Sequence, residues 1–484
     1  MLVDQALQSG IRTAQVPLCV DLDGTLLRTN SLFEVCWFEV RRSPWLLFFL
    51  PIWLLRGQAY LWSRLEISDN LPIATWPRNA KVLAYIQEQQ EFRPVYLVTG
   101  ADHRLAKRFA EELGVFTGVL ATDQDHLVGR AKAQVLAATF GAGQYDYIGD
   151  SRADLPVWKG ARQSLTVEAS LLNLARAVAQ PIETLDGVET RRPWAGLGRA
   201  MRPRQWSKNL LVFLPLALGH QIANPPLLLA TLVAFASFSL CSSAVYLFND
   251  CLDLESDRLH PSKSRRPIAA GDLPLPMALA ASAGLLVISL LLSAFFCPNV
   301  LFLLAGYLVF STFYTLHAKT LLVVDLVLLA AFYVSRIFAG SLATGILVSF
   351  WLNLFSLFLF FGLATLKRCA ELQRTARSGA TPNSRRAYRH DDLLPLSILG
   401  SASHLIAVLV VGLYIHNPDV ARLYASPQLL WLICPIVLAW GARLWLLSGR
   451  GEIEEDPIAF ALRDRWSHAA ALLAALVVWR ASQP

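Results

Sequence analysis

Three aspartates follow a long apolar run at a spacing that could hold a metal ion. The segment Asn249–Asp257 reads NDCLDLESD. If the run continues as a helix, Asp253 lies about 300° and Asp257 about 340° around from Asp250, so the three carboxylates share one stripe. Because a helix C-terminus disfavours negative charge, the stripe predicts a bound cation, and Mg²⁺ is suited to a few carboxylates plus substrate phosphates. The alternative is a solvated acidic helix end.

Cations flank this acidic segment in the sequence. Arg204 and Lys208 are four residues apart and face the same way on a helix. They suit a phosphate group, and they equally suit snorkelling to lipid headgroups. Arg266 lies in the basic loop that follows the three aspartates.

The composition separates a globular part from a membrane part. Of the 484 residues, 55% are hydrophobic and only 16% are charged, which is too apolar for an ordinary soluble protein. Residues 1–200 have mixed composition, whereas 208–481 are mostly apolar runs between short polar loops. The net charge of +7 fits basic cytoplasmic loops, so we expect no nucleic-acid partner. The seven cysteines show no metal-ligand spacing, and we expect them to be reduced.

Nine apolar runs predict a multi-pass membrane bundle. The loops after the second, sixth and eighth runs carry nearly all of the arginines and lysines, which places these loops on the cytoplasmic side. The N-terminus has no stretch of signal-peptide type, so we expect the first domain in the cytoplasm too. The runs are 209–220, 225–248, 276–295, 298–316, 321–340, 346–366, 394–415, 427–447 and 466–481.

Polar residues recur at the ends of predicted strands in the first domain. Strands that alternate with helices predict a parallel sheet with helices on both faces, and ligands bind at the carboxyl ends of such strands. The residues are Asp21 and Asp23 after Val16–Val20, Thr99 after Val95–Val98, Lys132 at the start of a helix, and Asp150 and Asp154 after Tyr145–Ile148.

In order and spacing these segments resemble the haloacid dehalogenase (HAD) phosphatase superfamily, over roughly residues 14–180. A carboxylate can attack a phosphate only if cations neutralise both anions, so the chemistry is consistent. The resemblance implies these roles: Asp21 as nucleophile, Asp23 as general acid–base, Thr99 and Lys132 as phosphoryl-binding residues, Asp21, Asp23 and Asp150 as Mg²⁺ ligands, and Asp154 as support for the metal site.

A cap is expected at about residues 30–90, between the first two strands. It contains the apolar stretch 44–55, PWLLFFLPIWLL, flanked by Arg41, Arg42 and Arg56. About a dozen residues are too short to span a bilayer, which needs ~20. Two interpretations remain open here: a segment lying on the membrane surface, and a buried cap core.

The membrane half also holds ionisable groups at depth. Tyr314 and Lys319 flank a tight connection, and Asp325 and Arg336 are eleven residues apart on one helix face. Such residues normally face the bundle interior and mark function. The alternative is an internal Asp325–Arg336 pair, although three turns (~16 Å) is too far for direct contact. We expect a linker at 181–198 and the membrane domain at 199–484.

This half resembles the UbiA superfamily of intramembrane prenyltransferases, whose first signature is NDxxDxxxD and whose fold has nine helices with a cytoplasmic active site. One departure concerns the loop after the sixth run. Where aromatic prenyltransferases of the superfamily carry a second aspartate-rich motif, this loop begins with Lys367 and Arg368 and continues with Arg385 and Arg386. A basic loop can hold phosphates directly.

With RPRQWSKN (202–209), YTLHAK (314–319) and DPIAFALRDR (456–465), the pattern resembles the decaprenyl-phosphate phosphoribosyltransferase branch. The resemblance implies phosphoribosyl pyrophosphate as donor and a polyprenyl phosphate as acceptor. It implies Mg²⁺ on Asp250, Asp253 and Asp257, phosphate or substrate contacts from Arg204, Lys208, Asn249, Arg266, Tyr314, Lys319, Lys367 and Arg368, and supporting roles for Asp325 and Arg336.

The expected protein is therefore a bifunctional enzyme of the bacterial inner membrane. It would be an α/β HAD-like (Rossmannoid) domain with a small helical cap, followed by an all-α nine-helix UbiA-type bundle. It would transfer 5-phosphoribose to a polyprenyl phosphate and remove the 5-phosphate, for cell-surface glycan synthesis. The alternatives are prenyl transfer to an aromatic acceptor beside an independent phosphatase, and a non-enzymatic lipid transporter. The oligomeric state is left open.

Overall fold

The computed structural model describes residues 15–123, 126–168, 171–176, 182–185, 192–377, 387–417, 420, 424–453 and 456–483. The chain divides into two compact units. The first unit comprises Met1–Met201 together with Tyr246–Ser282, and the second comprises Arg202–Val245 together with Ala283–Pro484. The segment Asn249–Asp257 therefore groups with the N-terminal part of the chain. The predicted loop residues Arg385 and Arg386 lie outside the described residues.

A six-stranded parallel sheet forms the centre of the first unit, in the order β3-β2-β1-β4-β5-β6. Successive residues of a strand point to opposite faces, so Leu18 and Val20 pack into one core while Cys19 packs into the other. The predicted α/β class is confirmed. The strands are β1 (Leu18–Val20), β2 (Val95–Asp102), β3 (Gly118–Thr122), β4 (Asp146–Gly149), β5 (Gln163–Thr166) and β6 (Ile182–Thr184).

Strand β6 lies within the stretch 181–198 that we predicted to be a linker. It pairs in parallel with β5, from Ser164 to Thr166. The stretch looked irregular in sequence because only three residues enter the sheet, which is too few to show an alternating pattern.

Helices of the first unit cover both faces of this sheet. The first four lie between β1 and β2, in the stretch 30–90 where a cap was expected. The helices are α1 (Ser31–Arg42), α2 (Leu46–Leu55), α3 (Gln58–Arg64), α4 (Ala80–Gln89), α5 (His103–Leu113), α6 (Arg130–Phe140), α7 (Leu155–Gly160), α8 (Leu172–Arg176) and α9 (Pro193–Ala200).

The regular secondary structure in the described residues of the apolar half is helical. A 3₁₀ helix (Pro203–Phe213) precedes α10 (Leu214–Leu218). The remaining helices are α11 (Pro225–Leu252), α12 (Leu254–Leu259), α13 (Leu275–Phe296), α14 (Pro298–Leu316), α15 (Val324–Thr344), α16 (Phe350–Arg377), α17 (Leu393–Ile415), α18 (Ile433–Arg450), α19 (Pro457–Ala461) and α20 (Arg465–Ser482).

Seven helices are long and apolar enough to cross a membrane among the described residues, rather than the nine predicted. The first predicted run forms the 3₁₀ helix and the five-residue α10 instead, because Pro215 interrupts it. The last run forms α20, whose Arg465, His468 and Arg480 lower its hydropathy. The seven are α11, α13, α14, α15, α16, His390–Ile415 and Pro427–Arg450.

The acidic segment is not one continuous helix, as we had assumed. Helix α11 ends at Leu252, and Asp253 is the N-cap residue of the short helix α12. The backbone still turns, since the amide of Asp253 donates to the carbonyl of Asn249 and the amide of Asp257 to that of Asp253, both at 2.9 Å. Asp250 thus lies in the last turn of α11, and Asp257 lies on α12.

Candidate active sites

The carboxyl ends of β1, β2 and β4 meet at a polar cavity of about 270 Å³ in the first unit. The parallel register brings the loops that follow these strands to one edge of the sheet. All six residues predicted for phosphatase chemistry line this cavity, which places them together. They are Asp21, Asp23, Thr99, Lys132, Asp150 and Asp154.

Lys132 is the cation at the centre of this cavity. Its Nζ lies 3.1 Å from Asp21 Oδ1 and 3.8 Å from Asp154 Oδ1, and it donates to the Tyr147 hydroxyl at 2.9 Å. The same hydroxyl donates to Asp154 Oδ1 at 2.8 Å. Tyr147 was not predicted as a site residue, because an aromatic residue in a strand normally belongs to the hydrophobic core. Here its hydroxyl fixes both the lysine and a carboxylate.

Burial and charge act in opposite directions on these groups. Burial raises the pKa of Asp21 to about 7, although the Lys132 ammonium opposes the shift. Burial alone would lower the pKa of Lys132, but the carboxylates of Asp21 and Asp154 outweigh it and raise the pKa. Asp21 therefore needs cations nearby in order to be an ionised nucleophile at neutral pH.

A metal ion would fit beside this lysine. Asp21, Asp150 and Asp154 each offer a carboxylate oxygen within 4.8 Å of the others, and no second such group occurs among the described residues. Oxygen donors at this spacing suit Mg²⁺. Gly24 makes the approach of Asp150 feasible, since its φ is +83° and a Cβ there would lie 1.9 Å from Asp150 Oδ2.

Asp23 lies apart from this carboxylate group. Its two oxygens accept hydrogen bonds from the backbone amide and the hydroxyl of Ser31, at 2.6 and 2.8 Å. Ser31 is the first residue of α1, so the predicted general acid–base is held by the N-terminus of the cap. This placement fits proton transfer, while the expectation that Asp23 ligates metal stays a prediction.

The acidic segment, defined as Asn249–Asp257, meets Arg266 within the same unit. Arg266 Nη1 donates to Asp250 Oδ1 at 2.8 Å and to Asp257 Oδ2 at 2.6 Å. Burial raises the pKa of Asp257, and Arg266 opposes this rise. One guanidinium nitrogen thus bridges two of the three predicted metal ligands. Asp253 and the role of Arg266 as a phosphate contact stay predictions.

Cap helix α1 packs on the acidic segment and its flanks through contacts that the sequence did not indicate. Arg258 makes a two-point pair with Glu34, at 3.0 and 2.5 Å, and both side chains are buried. Trp37 Nε1 donates to the carbonyl of Cys251 at 2.9 Å. Glu34 and Trp37 lie three residues apart on α1 and hence on one face of the helix. The sequence did not indicate that their partners lie more than 200 residues away.

Two predicted phosphate-binding lysines converge on one carboxylate in the second unit. Lys208 Nζ lies 2.7 Å and Lys367 Nζ 3.1 Å from Asp456 Oδ2. Burial alone would raise the pKa of Asp456, but the two ammonium groups hold it well below its usual range. The cluster retains one net positive charge, so it can attract an anion. Asp456 was quoted only as part of a motif, and the structure shows what it contacts.

Arg368 belongs to a buried network instead of pointing freely at a substrate. Its Nε donates to Asp325 at 2.8 Å, its Nη1 to Glu371 at 2.6 Å and its Nη2 to the Tyr314 hydroxyl at 2.8 Å. The Tyr388 hydroxyl also donates to Asp325, at 2.5 Å. These contacts favour a role in positioning α16 against α14 and α15.

Arg336 has partners of its own, so the alternative of an internal Asp325–Arg336 pair is not what the structure shows. Its Nε donates to Asn209 Oδ1 at 2.8 Å, and its guanidinium lies 5.3 Å from the ring centroid of Phe238. Asn209 in turn donates to Ser239 at 2.9 Å. The predicted intramembrane charges are thus buried and paired, which is how membrane interiors accommodate them.

The remaining predicted residues lie at helix ends. Arg204 is exposed on the 3₁₀ helix Pro203–Phe213, and Lys319 is half-buried in the 3₁₀ turn Ala318–Thr320. Asn249 is half-buried near the end of α11. Their roles in phosphate binding stay predictions.

Comparison with known proteins assigns the family. Residues 210–468 match the UbiA prenyltransferase family, and residues 18–159 match the haloacid dehalogenase-like hydrolases. The chain belongs to the UbiA prenyltransferase family. It carries a HAD-like domain at its N-terminus, so the predicted order of a hydrolase-like domain and a transferase-family membrane domain is confirmed. This UbiA-family chain is an integral membrane protein, with the seven apolar helices given above.

The relatives of this UbiA-family chain differ in how much of it they match. Uncharacterized protein y4nM of Sinorhizobium fredii is 32% identical over 461 residues, covering 94% of this chain and 88% of that protein. Decaprenyl-phosphate phosphoribosyltransferase of Mycolicibacterium smegmatis is 33% identical over 279 residues, covering 56% of this chain and 87% of that protein. The Mycobacterium tuberculosis H37Rv protein of the same name is 34% identical over 275 residues, with 56% and 89% covered.

A UbiA homologue from Archaeoglobus fulgidus, solved with GPP and Mg²⁺, is 19% identical. It matches with a TM-score of 0.42, covering 59% of this chain and 98% of that one.

Proposed function

We propose that this protein transfers 5-phosphoribose from phosphoribosyl pyrophosphate to a polyprenyl phosphate and then removes the 5-phosphate. The observation that carries the proposal is the pair of lysines, Lys208 and Lys367, held on Asp456 by contacts of 2.7 and 3.1 Å. A site in which lysine side chains bind phosphate directly fits an acceptor that is itself a phosphate, whereas an aromatic acceptor has no phosphate group to bind there. The similarity to proteins named decaprenyl-phosphate phosphoribosyltransferase supports the same substrates.

In the transfer step, a phosphate oxygen of the lipid forms a bond to C1 of the ribose as the bond from C1 to pyrophosphate breaks. Lys208 and Lys367 would orient the lipid phosphate. Asp250, Asp253 and Asp257 would hold Mg²⁺, which neutralises the departing pyrophosphate. Arg266, which already contacts two of these carboxylates, would keep them aligned.

In the phosphatase step, Asp21 attacks the 5-phosphate and forms an aspartyl phosphate as the ester bond breaks. Asp23 gives a proton to the leaving ribose oxygen and then takes one from the water that hydrolyses the intermediate. Lys132 and Thr99 would hold the phosphoryl oxygens. Asp21, Asp150 and Asp154 fit Mg²⁺, which supplies charge neutralisation at this site.

We propose that both reactions take place on the cytoplasmic side of a bacterial inner membrane. The basic loops, rich in arginine and lysine after the second, sixth and eighth apolar runs, support this orientation. The product, a polyprenyl-phosphoryl-ribose, would serve as a sugar donor for surface glycans.

The test is to incubate the purified chain with phosphoribosyl pyrophosphate, Mg²⁺ and polyprenyl phosphate, and to identify the lipids by mass spectrometry. We expect ribosylated lipid from the unaltered protein and none from Asp250→Asn. The Asp21→Asn variant should still transfer, and should accumulate the 5-phosphorylated lipid. Absence of ribosylated lipid with the unaltered protein would refute the transfer. If Asp21→Asn accumulates no more 5-phosphorylated lipid than the unaltered protein, the sequential step is refuted.

A further inference from the structure

Helix α2 (Leu46–Leu55) contains no polar residue, and most of it is uncovered. Leu46 is buried, and Leu50 and Trp53 pack against the core of the first unit. The outer side chains remain accessible, among them Phe48 at 77% and Leu55 at 88%. A helix that is apolar all round is stable in a protein core or in lipid, and a contiguous exposed apolar surface marks a binding site.

The preceding helix places α2 beside the end of a membrane-spanning segment. In α1, Trp37 packs edge-on against Phe248, with ring centroids 6.4 Å apart, and donates to the carbonyl of Cys251. Both partners belong to the last two turns of α11, which is long and apolar enough to cross a membrane. Arg42, the last residue of α1, lies only about 8 Å from Trp37 along the helix axis. Helix α2 begins four residues after Arg42.

The charges around α2 suit an anionic lipid surface. Residues 40–65 contain four arginines and no acidic residue. Arg42, Arg56 and Arg64 are exposed, and the last two donate to the hydroxyl of Tyr60 at 3.0 and 3.2 Å. An apolar helix with flanking arginines is typical of segments that lie in the headgroup region. At ten residues, about 15 Å, α2 is too short to cross ~30 Å of hydrocarbon.

The next helix leads from this surface to the phosphatase cavity. Gln58 and Trp62 of α3 line that cavity, as does Phe33 of α1. The carboxylates therefore share their cavity with apolar side chains from the two helices that flank α2. This is the lining expected for a phosphate monoester carried on a lipid, which must enter from the membrane surface.

We propose that α2 is an interfacial helix, embedded in the headgroup region, that presents lipid-borne phosphate monoesters to the phosphatase cavity. The position of the helix follows from contacts within the first unit. The identity of the lipid rests on the function proposed above.

The depth of α2 is measured on the full chain in nanodiscs of phosphatidylcholine and phosphatidylglycerol. Spin labels are placed at Phe48→Cys and Leu55→Cys, with Phe92→Cys, an exposed apolar residue of the same unit, as the matched control. Five of the seven native cysteines are buried, and the unsubstituted chain gives the labelling background. We expect high oxygen and low nickel-chelate accessibility at positions 48 and 55, and the reverse at 92.

If positions 48 and 55 resemble position 92, the interfacial helix is refuted. Spin–spin broadening at 48 and 55 that disappears on dilution with unlabelled protein would show that a second copy covers α2, and would also refute it.

The presenting role is tested with Leu55→Glu, and Phe92→Glu is the control. We expect Leu55→Glu to lower hydrolysis of the phosphorylated lipid made in the nanodisc by roughly tenfold or more, because a charge opposes insertion. Hydrolysis of soluble p-nitrophenyl phosphate should stay unchanged in both variants. Equal losses on both substrates, or no loss, would refute presentation. If the unaltered protein makes no phosphorylated lipid, the proposed function fails, and the spin-label result still decides the position of α2.

Discussion

The buried pair of Glu34 and Arg258 should be the main contact that holds helix α12 against helix α1. Both side chains are about 5% exposed, and the two hydrogen bonds are 3.0 and 2.5 Å long. Removing one partner of a buried pair leaves an uncompensated charge and costs about 3–5 kcal/mol. We therefore expect Glu34→Gln to favour local opening of α12 by about 3 kcal/mol, which is roughly a hundredfold.

Hydrogen–deuterium exchange of the full chain measures this opening directly. Amides of α12 exchange when the helix opens, and this opening breaks the Glu34–Arg258 pair. They should therefore exchange roughly a hundredfold faster in Glu34→Gln. The matched control is Glu39→Gln on the same helix, since Glu39 pairs with the exposed Arg42, at 3.5 Å, within α1. The double variant Glu34→Gln/Arg258→Gln should recover part of the protection, because neither charge is then left alone. Equal exchange in both single variants would refute this account.

Three further predictions concern the two candidate sites. Lys132→Met should move the acid limb of the phosphatase pH profile upward by about one pH unit or more, because the ionised form of Asp21, whose pKa is about 7, loses its cation; an unmoved limb measured with p-nitrophenyl phosphate would contradict this. Gly24→Ala should abolish phosphatase activity while transfer persists, since the added Cβ meets a metal-site carboxylate. Asp456→Asn should raise the KM for polyprenyl phosphate about tenfold with kcat nearly kept, because Lys208 loses its anchor; a fall in kcat alone would argue against that anchoring role.

Most residues at the polar cavity of the first unit could be predicted because they follow recognisable strands. Short apolar segments ending in Asp21, Thr99 and Asp150 predicted both the parallel sheet and the edge at which the side chains meet. Tyr147 could not be predicted in the same way, since its hydroxyl contacts Lys132 only when the fold brings the strand and the helix together.

The membrane half was predictable in class and less so in detail. Apolar runs identify spans, but they do not show that Pro215 turns the first run into a 3₁₀ segment, or that Asp253 interrupts the acidic helix. Burial of Asp325 and Arg336 was expected from their depth. Their partners, Arg368 and Asn209, depend on how helices pack, and periodicity does not reveal this.

The discontinuity of the first unit has a consequence for biogenesis. Its sheet is complete at β6, yet the segment that packs on α1 emerges only after α11 has been made, up to Ser282. Until then, Trp37 and Glu34 lack the partners that cover them in the finished protein. The ribosome must therefore release, and the membrane must accept, one hydrophobic helix before the N-terminal domain can finish folding. Excising that domain at residue 201 would remove part of its own surface.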